Sequence, residues 1–337
     1  MTDNFKKKLI YFFIGFSVFL MIANIVVDFF QNEEESLKTH EVSSKLLEEE
    51  FNNIIDEFGI DNSWIKVKNI NNKNLDSLKK VYYVQIPTDL NIPIFIKEFQ
   101  KNLLKQPVEV VGEERKDNGN SVIKISSNNH LKFQAYLNYD KSLSREKFQF
   151  AFLVNDFQDL SSSERKNILG NDLKMAVGLI PSESAFLQLE EVSKNKKENY
   201  LIIDDEISDS KYELDISFSK ERLKSSIISI VTDFKNSIFF MIDKESELYK
   251  STAYNFIKDE FLKRKIKLYS YENFIDLRGK EKTDLISLFK FYCDDSSKKK
   301  NIFLIDFNGI NILSEAIMHY QKKGNRLINP AELLFSE

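Results

Sequence analysis

A chain of 337 residues with a formal net charge of −4 and 30% charged residues has the makeup of a globular body. It offers no long-range electrostatic pull toward nucleic acid or anionic lipid. A single cysteine, Cys293, excludes an internal disulfide and a thiolate metal site.

The start of the chain departs from that average. Leu9 to Phe30 contains no Lys, Arg or Glu, and its one acidic residue, Asp28, stands near the end. As a helix rising about 1.5 Å per residue, the run is long enough for the ~30 Å hydrocarbon core of a bilayer. Lys6, Lys7 and Lys8 precede it and Glu33, Glu34 and Glu35 follow it, which places the N-terminus inside and the bulk of the chain outside the cytoplasm. Asn24 to Phe30 lacks the small-residue pattern of a cleavage site. The expectation is a retained single-pass anchor in the cytoplasmic membrane, with the membrane as a partner and no nucleic acid. Residues 31–40 read as a polar stalk.

Residues 41–140 read as a small α+β domain. Val42, Leu46, Leu47, Phe51, Ile54, Ile55 and Phe58 fall at helical spacing and Gly59 ends the pattern. Trp64–Val67 and Val81–Ile86 read as strands, Asn91–Lys105 as a helix, and Val108–Val111, Val122–Ile125 and Leu131–Leu137 as further strands. Asp117-Asn118-Gly119-Asn120 marks a hairpin loop. Trp64 reads as a core residue. The charged segment Asn138–Lys147 is the expected boundary.

From 148 to 337 the pattern alternates. Strands are expected at Phe150–Val154, Met175–Ile180, Tyr200–Ile203, Ile238–Ile242, Ile266–Tyr269 and Ile302–Ile305. Helices are expected at Ser162–Leu169, Ser184–Ser193, Ser219–Phe234, Thr252–Lys265, Lys282–Tyr292 and Ile310–Lys323. The strands are short and apolar throughout, as in a parallel sheet covered on both faces. Repeated βα units predict an α/β fold, either a barrel or a doubly wound sheet. Cys293, beside Phe291 and Tyr292, reads as a buried, inert thiol.

Chemistry in such folds gathers at the C-terminal ends of the strands. There the sequence places Asn155 and Asp156, then Ile180-Pro181, then Asp204 and Asp205, and finally Asp306. In block order this region resembles the divergent polysaccharide deacetylases, a branch of the metal-dependent carbohydrate deacetylases. Phe150–Asp156 resembles a first block ending in Asp-Asp, Val177–Pro181 a second ending in Ile/Leu-Pro, and Tyr200–Glu206 falls at a third. Asn301–Leu334, with Asn329-Pro-Ala-Glu-Leu333, resembles the last. Val84-Gln-Ile-Pro87-Thr-Asp-Leu90 and the helix after it look like a domain that precedes the barrel in some members.

The resemblance implies a metal held by one Asp and two His, with a second Asp as base. Asp156 matches the metal-binding Asp, but Asn155 takes the place of the base, and an amide cannot accept the proton. Ile203-Asp204-Asp205 stands at the third block, where the family has His, Asp306 falls where the family has His at the last strand, and no His occurs near Phe239 to Ser246. The three histidines, His40, His130 and His319, lie away from the strand ends.

Two readings follow. One is a catalytically inactive, deacetylase-like envelope module that binds glycan or an envelope protein and needs no cofactor. The other is an active carbohydrate deacetylase or hydrolase in which Asp156, Asp204, Asp205 and Asp306 bind a divalent metal through oxygen. Against the second stands the use of Asp as a helix N-cap, which any strand-to-helix loop favours. A third reading, an unrelated membrane-linked assembly protein, is favoured by an open sheet or by a strand order unlike a barrel.

Overall fold

The computed structural model describes residues 41–70, 78–115, 119–145, 148–205, 207–295 and 300–335. The chain divides into two compact units, with the break between Ser144 and Arg145.

The first unit is a five-stranded sheet carrying two helices. Strands β1 (Ile65–Asn69), β2 (Lys80–Pro87), β3 (Glu109–Glu114), β4 (Ser121–Ser127) and β5 (His130–Asp140) lie in the order β1-β2-β5-β4-β3. The β2–β5 pair is parallel and the other three pairs are antiparallel. Helix α1 (Ser44–Glu57) buries Leu47, Phe51, Ile54 and Ile55, the i, i+4, i+7, i+8 stripe that its sequence displays. Helix α2 (Ile92–Asn102) begins where the Asn91 side chain accepts the Ile94 N–H at 3.2 Å. The ring of Phe51 is the hub of this core, with Phe133 at 4.9 Å, Tyr82 at 5.2 Å, Phe99 at 5.7 Å and Phe95 at 6.3 Å between centroids. Trp64 is only partly buried, at the end of a single turn of 3₁₀ helix. Antiparallel β3 and β4 flank the expected hairpin loop, of which Asp117 and Asn118 lie outside the described residues.

The second unit is a parallel sheet with helices on its outer face. Its strands are β6 (Gln149–Val154), β7 (Met175–Leu179), β8 (Glu198–Ile203), β9 (Phe240–Ile242), β10 (Leu268–Ser270), β11 (Ile275–Asp276), β12 (Lys300–Ile305) and β13 (Arg326–Leu327). They run in the order β10-β9-β8-β7-β6-β12-β11, with β13 also paired to β6. Helices α3 (Ser162–Gly170), α4 (Glu183–Lys194), α5 (Lys220–Asp233), α6 (Glu247–Lys250), α7 (Ala253–Lys263), α8 (Lys282–Asp294), α9 (Phe307–Lys322) and α10 (Pro330–Phe335) fill the connections and the C-terminal end. Side chains from Ser161, Ser182, Ser219, Ser246 and Asp306 cap α3, α4, α5, α6 and α9.

The sheet curls into half a barrel, and chain connectivity shows why. Its two edge strands, β10 and β11, are consecutive in sequence and joined only by residues 271–274. Five residue steps reach at most about 17 Å, so the edges must curve toward each other. Alternate residues divide between the two faces. Phe150, Phe152, Val154, Leu201 and Ile203 pack outward under the helices, while Leu153, Ala176, Tyr200, Ile202 and Met241 pack inward. The inner face is filled with aromatic rings. Tyr200 stacks on Phe239 at 5.1 Å, and Phe239 meets Tyr269 at 5.3 Å and Phe274 at 5.5 Å. Gly178 on β7 leaves room for this packing, because a Cβ there would stand 2.8 Å from the Tyr200 hydroxyl. Helix α10 lies on β6 and β12, where Leu333 and Ile328 bury Ala151.

These findings correct the expected architecture. The α/β sheet is neither a closed barrel nor a doubly wound sheet: β10 and β11 are not hydrogen-bonded to each other. Its order is that of a barrel opened at one seam. Among the described residues no helix is long and apolar enough to cross a membrane. The longest, α9, has 16 residues, about 24 Å, and carries Glu315, His319 and Lys322. The transmembrane helix expected at Leu9–Phe30, its stalk and His40 lie outside the described residues.

Candidate functional site

Every pairing in the half-barrel sheet is parallel, so the C-terminal ends of its strands share one rim. β6 delivers Asn155 and Asp156 there, β8 Asp204 and Asp205, β9 Asp243, β10 Tyr271, β11 Asp276 and Arg278, and β12 Asp306.

Asp156 is half-buried and turned toward the start of α9. Its carboxylate accepts the Phe307 N–H, at 2.9 Å to Oδ1 and 3.2 Å to Oδ2. Burial raises its pKa above the usual carboxylate value, the Phe307 N–H opposes that, and the charges of Asp306 and Asp159 add to the rise. Asp306 caps the same helix, with Oδ1 accepting the Gly309 N–H at 2.7 Å, while its Oδ2 accepts the Gly279 N–H at 3.0 Å. Asp156 and Asp306 therefore do meet, and they share the N-terminus of α9.

Asp205 is directed elsewhere. Its two oxygens accept the Glu247 and Leu248 N–H groups of α6 at 2.7 and 2.8 Å. Asp204 borders, with Asp205, Glu213, Asp215 and Glu247, a cleft of about 170 Å³, and its charge acts on Tyr271. Asn155 holds aromatic residues. Its Oδ1 accepts the Tyr200 hydroxyl at 3.3 Å, and its side chain also hydrogen-bonds Tyr271. Tyr200 is fully buried, which drives its pKa well up; burial pushes Tyr271 up to about 12.

Sequence reasoning missed the cationic part of the rim. The Arg278 guanidinium makes a fork to Asp276, Nε to Oδ1 at 3.0 Å and Nη2 to Oδ2 at 2.8 Å, and lies 4.4 Å from the centroid of the Tyr271 ring. Burial works to raise the Asp276 pKa, and the Arg278 hydrogen bonds outweigh it, so the carboxyl stays below its usual value. The signal available was the spacing Asp276-Leu277-Arg278 before Gly279. It sits in a segment without a readable period.

The histidines stay away from this rim. His130 begins β5 in the first unit, and His319 lies 13 residues into α9 beyond Asp306, about 20 Å along the helix. His319 borders a groove of about 640 Å³ between α8 and α9. Burial lowers its pKa. Burial pushes the Cys293 thiol far up.

Among the described residues no three His, Cys, Asp or Glu side chains are grouped so that they could hold a metal. Asp156, Asp205 and Asp306 already accept backbone N–H groups, and an ion would have to displace those bonds.

No family model matches this chain, and no curated protein matches it. Among solved structures, similarity extends to an uncharacterized protein, ATU2773, from Agrobacterium tumefaciens C58. The identity is 12%, over 57% of this chain and 91% of that one, with a TM-score of 0.37, a level at which the likeness supports no argument about function.

Proposed function

We propose that the second unit is a non-catalytic binding or scaffold domain of the cell envelope, built on a deacetylase-like plan whose catalytic positions now serve structure. One observation supports this reading: at the rim, Asn155, Asp156, Asp205 and Asp306 are engaged in holding the fold. Asp156 and Asp306 fix the start of α9, Asp205 fixes α6, and Asn155 ties Tyr200 and Tyr271 together. A hydrolase needs a base free to accept a proton and a polarising group beside the scissile bond. At Asn155, Asp156, Asp205 and Asp306 the rim offers an amide and carboxylates already bonded to backbone N–H groups. The openness of the sheet speaks for an unrelated assembly protein, whereas its barrel-like strand order speaks for the deacetylase-like plan.

At the rim Tyr271 and Arg278 are each partly exposed, with the guanidinium over the ring and Asn155 bonded to the Tyr271 hydroxyl. Aromatic faces and planar polar groups of this kind suit a sugar or its acetamido substituent. Placement at the envelope rests on the charge asymmetry around Leu9–Phe30 in the sequence.

Thermal unfolding of the full-length protein with chelator, Zn²⁺, Mg²⁺ or Ca²⁺, alongside metal analysis, tests the reading. The expected result is no bound metal and the same melting temperature in all four conditions. Stoichiometric metal whose stabilisation disappears in Asp156→Ala overturns it and reinstates a hydrolase.

A further inference from the structure

Among the described residues, the first unit has two sheet edges with no paired strand, and their charges are opposite. They are the outer sides of β1 and β3. Both strands are exposed along most of their length. Such edges present unpaired backbone N–H and C=O groups in register for another strand.

The side chains sort by face. In β1, Ile65 and Val67 lie opposite Val84 and Tyr82, on the face covered by the helices, and Lys66 and Lys68 point to the other face. In β3, Val110 and Gly112 lie opposite Ile125 and Ile123 on the helix side, and Glu109, Val111 and Glu113 point to the other face. One edge therefore shows lysines, and the other glutamates, on the same face of the same sheet. Glu113 also meets Lys124 of β4 at 2.9 Å.

Strand direction completes the match. β1 runs against β2, β2 runs with β5, and β3 runs with β5 because both oppose β4. β1 and β3 are thus antiparallel. A second copy displaced along the sheet brings its β1 beside β3 in antiparallel register, with like faces aligned. Setting Lys68 opposite Glu109 puts Val67 opposite Val110 and Lys66 opposite Val111. A slip of two residues, which preserves the faces, puts Lys66 opposite Glu113 and Val67 opposite Gly112.

We propose that this chain self-associates head to tail by edge-strand addition, β1 of one copy pairing with β3 of the next. The edge charges select this pairing. A β1–β1 contact sets lysine against lysine and a β3–β3 contact sets glutamate against glutamate, whereas β1–β3 sets opposite charges and apolar residues side by side. Each added copy leaves one edge of either kind open, so growth continues past the dimer. A single strand pair is far smaller than a standard protein interface, so association is expected at about 100 µM rather than in dilute solution.

Sedimentation velocity of the full-length protein in non-ionic detergent, over rising concentration, provides the test. Two charge-reversed variants are needed: Lys66→Glu with Lys68→Glu, and Glu109→Lys with Glu113→Lys. Wild type is expected to show an average mass that rises past the dimer at low salt and falls in 0.5 M salt. Each variant alone is expected to stay monomeric. An equimolar mixture of the two variants is expected to associate again, because the acidic β1 of one then meets the basic β3 of the other. That recovery requires folded edges, so it guards against a loss caused by misfolding. The milder Lys66→Gln with Lys68→Gln variant should associate at least several-fold more weakly than wild type. A wild type that is monomeric throughout, an association that survives both reversals, or variants that stay monomeric on mixing would each overturn the proposal.

Discussion

Asp156, a carboxylate at a strand end, acts on the start of the next helix. Its folded pKa lies above the unfolded value, so the native state binds its proton more readily than the unfolded chain does. The stability this contributes is fully present below the unfolded value near 3.8 and is lost as pH rises through the folded value. Asp156→Asn keeps an acceptor for the Phe307 N–H and removes the charge, so we expect it to equal or exceed wild type at pH 7. Wild type should gain on it as the pH falls toward 4, as read from urea unfolding at each pH. Asp156→Ala removes the acceptor as well and should be about 1 kcal/mol less stable than Asp156→Asn at either pH. Loss of stability in Asn as large as in Ala would show that the charge, not the cap, matters. Gly178 answers to sterics rather than charge. A methyl there would meet the Tyr200 hydroxyl and, at 2.9 Å, Ile202 Cδ1. Since both neighbours are buried, Gly178→Ala should destabilise by roughly 1–3 kcal/mol in the same assay.

At the scale of elements, the carboxylates that mark the strand ends set where the next helices begin. Helix α6 has four residues, too few to hold itself together, and two of its N–H groups rest on Asp205. Asp205→Ala is expected to cost about 1 kcal/mol and to raise amide exchange at Glu247 and Leu248 selectively. Helix α10 depends on a contact of the same kind, the Ala331 N–H donated to Glu198 at 2.9 Å. How legible each element was follows from its burial. Strands β6, β7, β8 and β12 are covered on both faces and so read as unbroken apolar runs. β11 and β13 have two residues each, too short for any period. Of the rim, Asn155, Asp156, Asp204, Asp205 and Asp306 were legible because they directly follow such runs. Tyr271 and Arg278 were not, since Tyr271 meets Asn155, and Arg278 covers Tyr271, only once the sheet has curled. The sequence also left the choice between ligand and cap open at each Asp, and backbone N–H positions decide that choice.

At the scale of the molecule, the half-barrel has a dense centre and thin edges. β6, β8 and β12 are buried along most of their length, while β10 is only partly buried and β11 has two residues. Hydrogen exchange should therefore be slowest in β6, β8 and β12 and fastest in β10 and β11, with protection falling outward in both directions. Equal protection at the edges would require hydrogen bonds across the seam.

The short strap 271–274 has one more consequence, in the relation between chain order and space. It is the only place where consecutive strands of this sheet lie at opposite ends of the sheet path. A circular permutant of the second unit opened between Glu272 and Asn273 would list its strands as β11, β12, β6, β7, β8, β9, β10, with the short β13 between β12 and β6. That is the order in which they lie side by side. The strap is thus a covalent stitch across a gap that hydrogen bonds leave open, and cutting it would turn a curled sheet into one whose sequence reads straight across it.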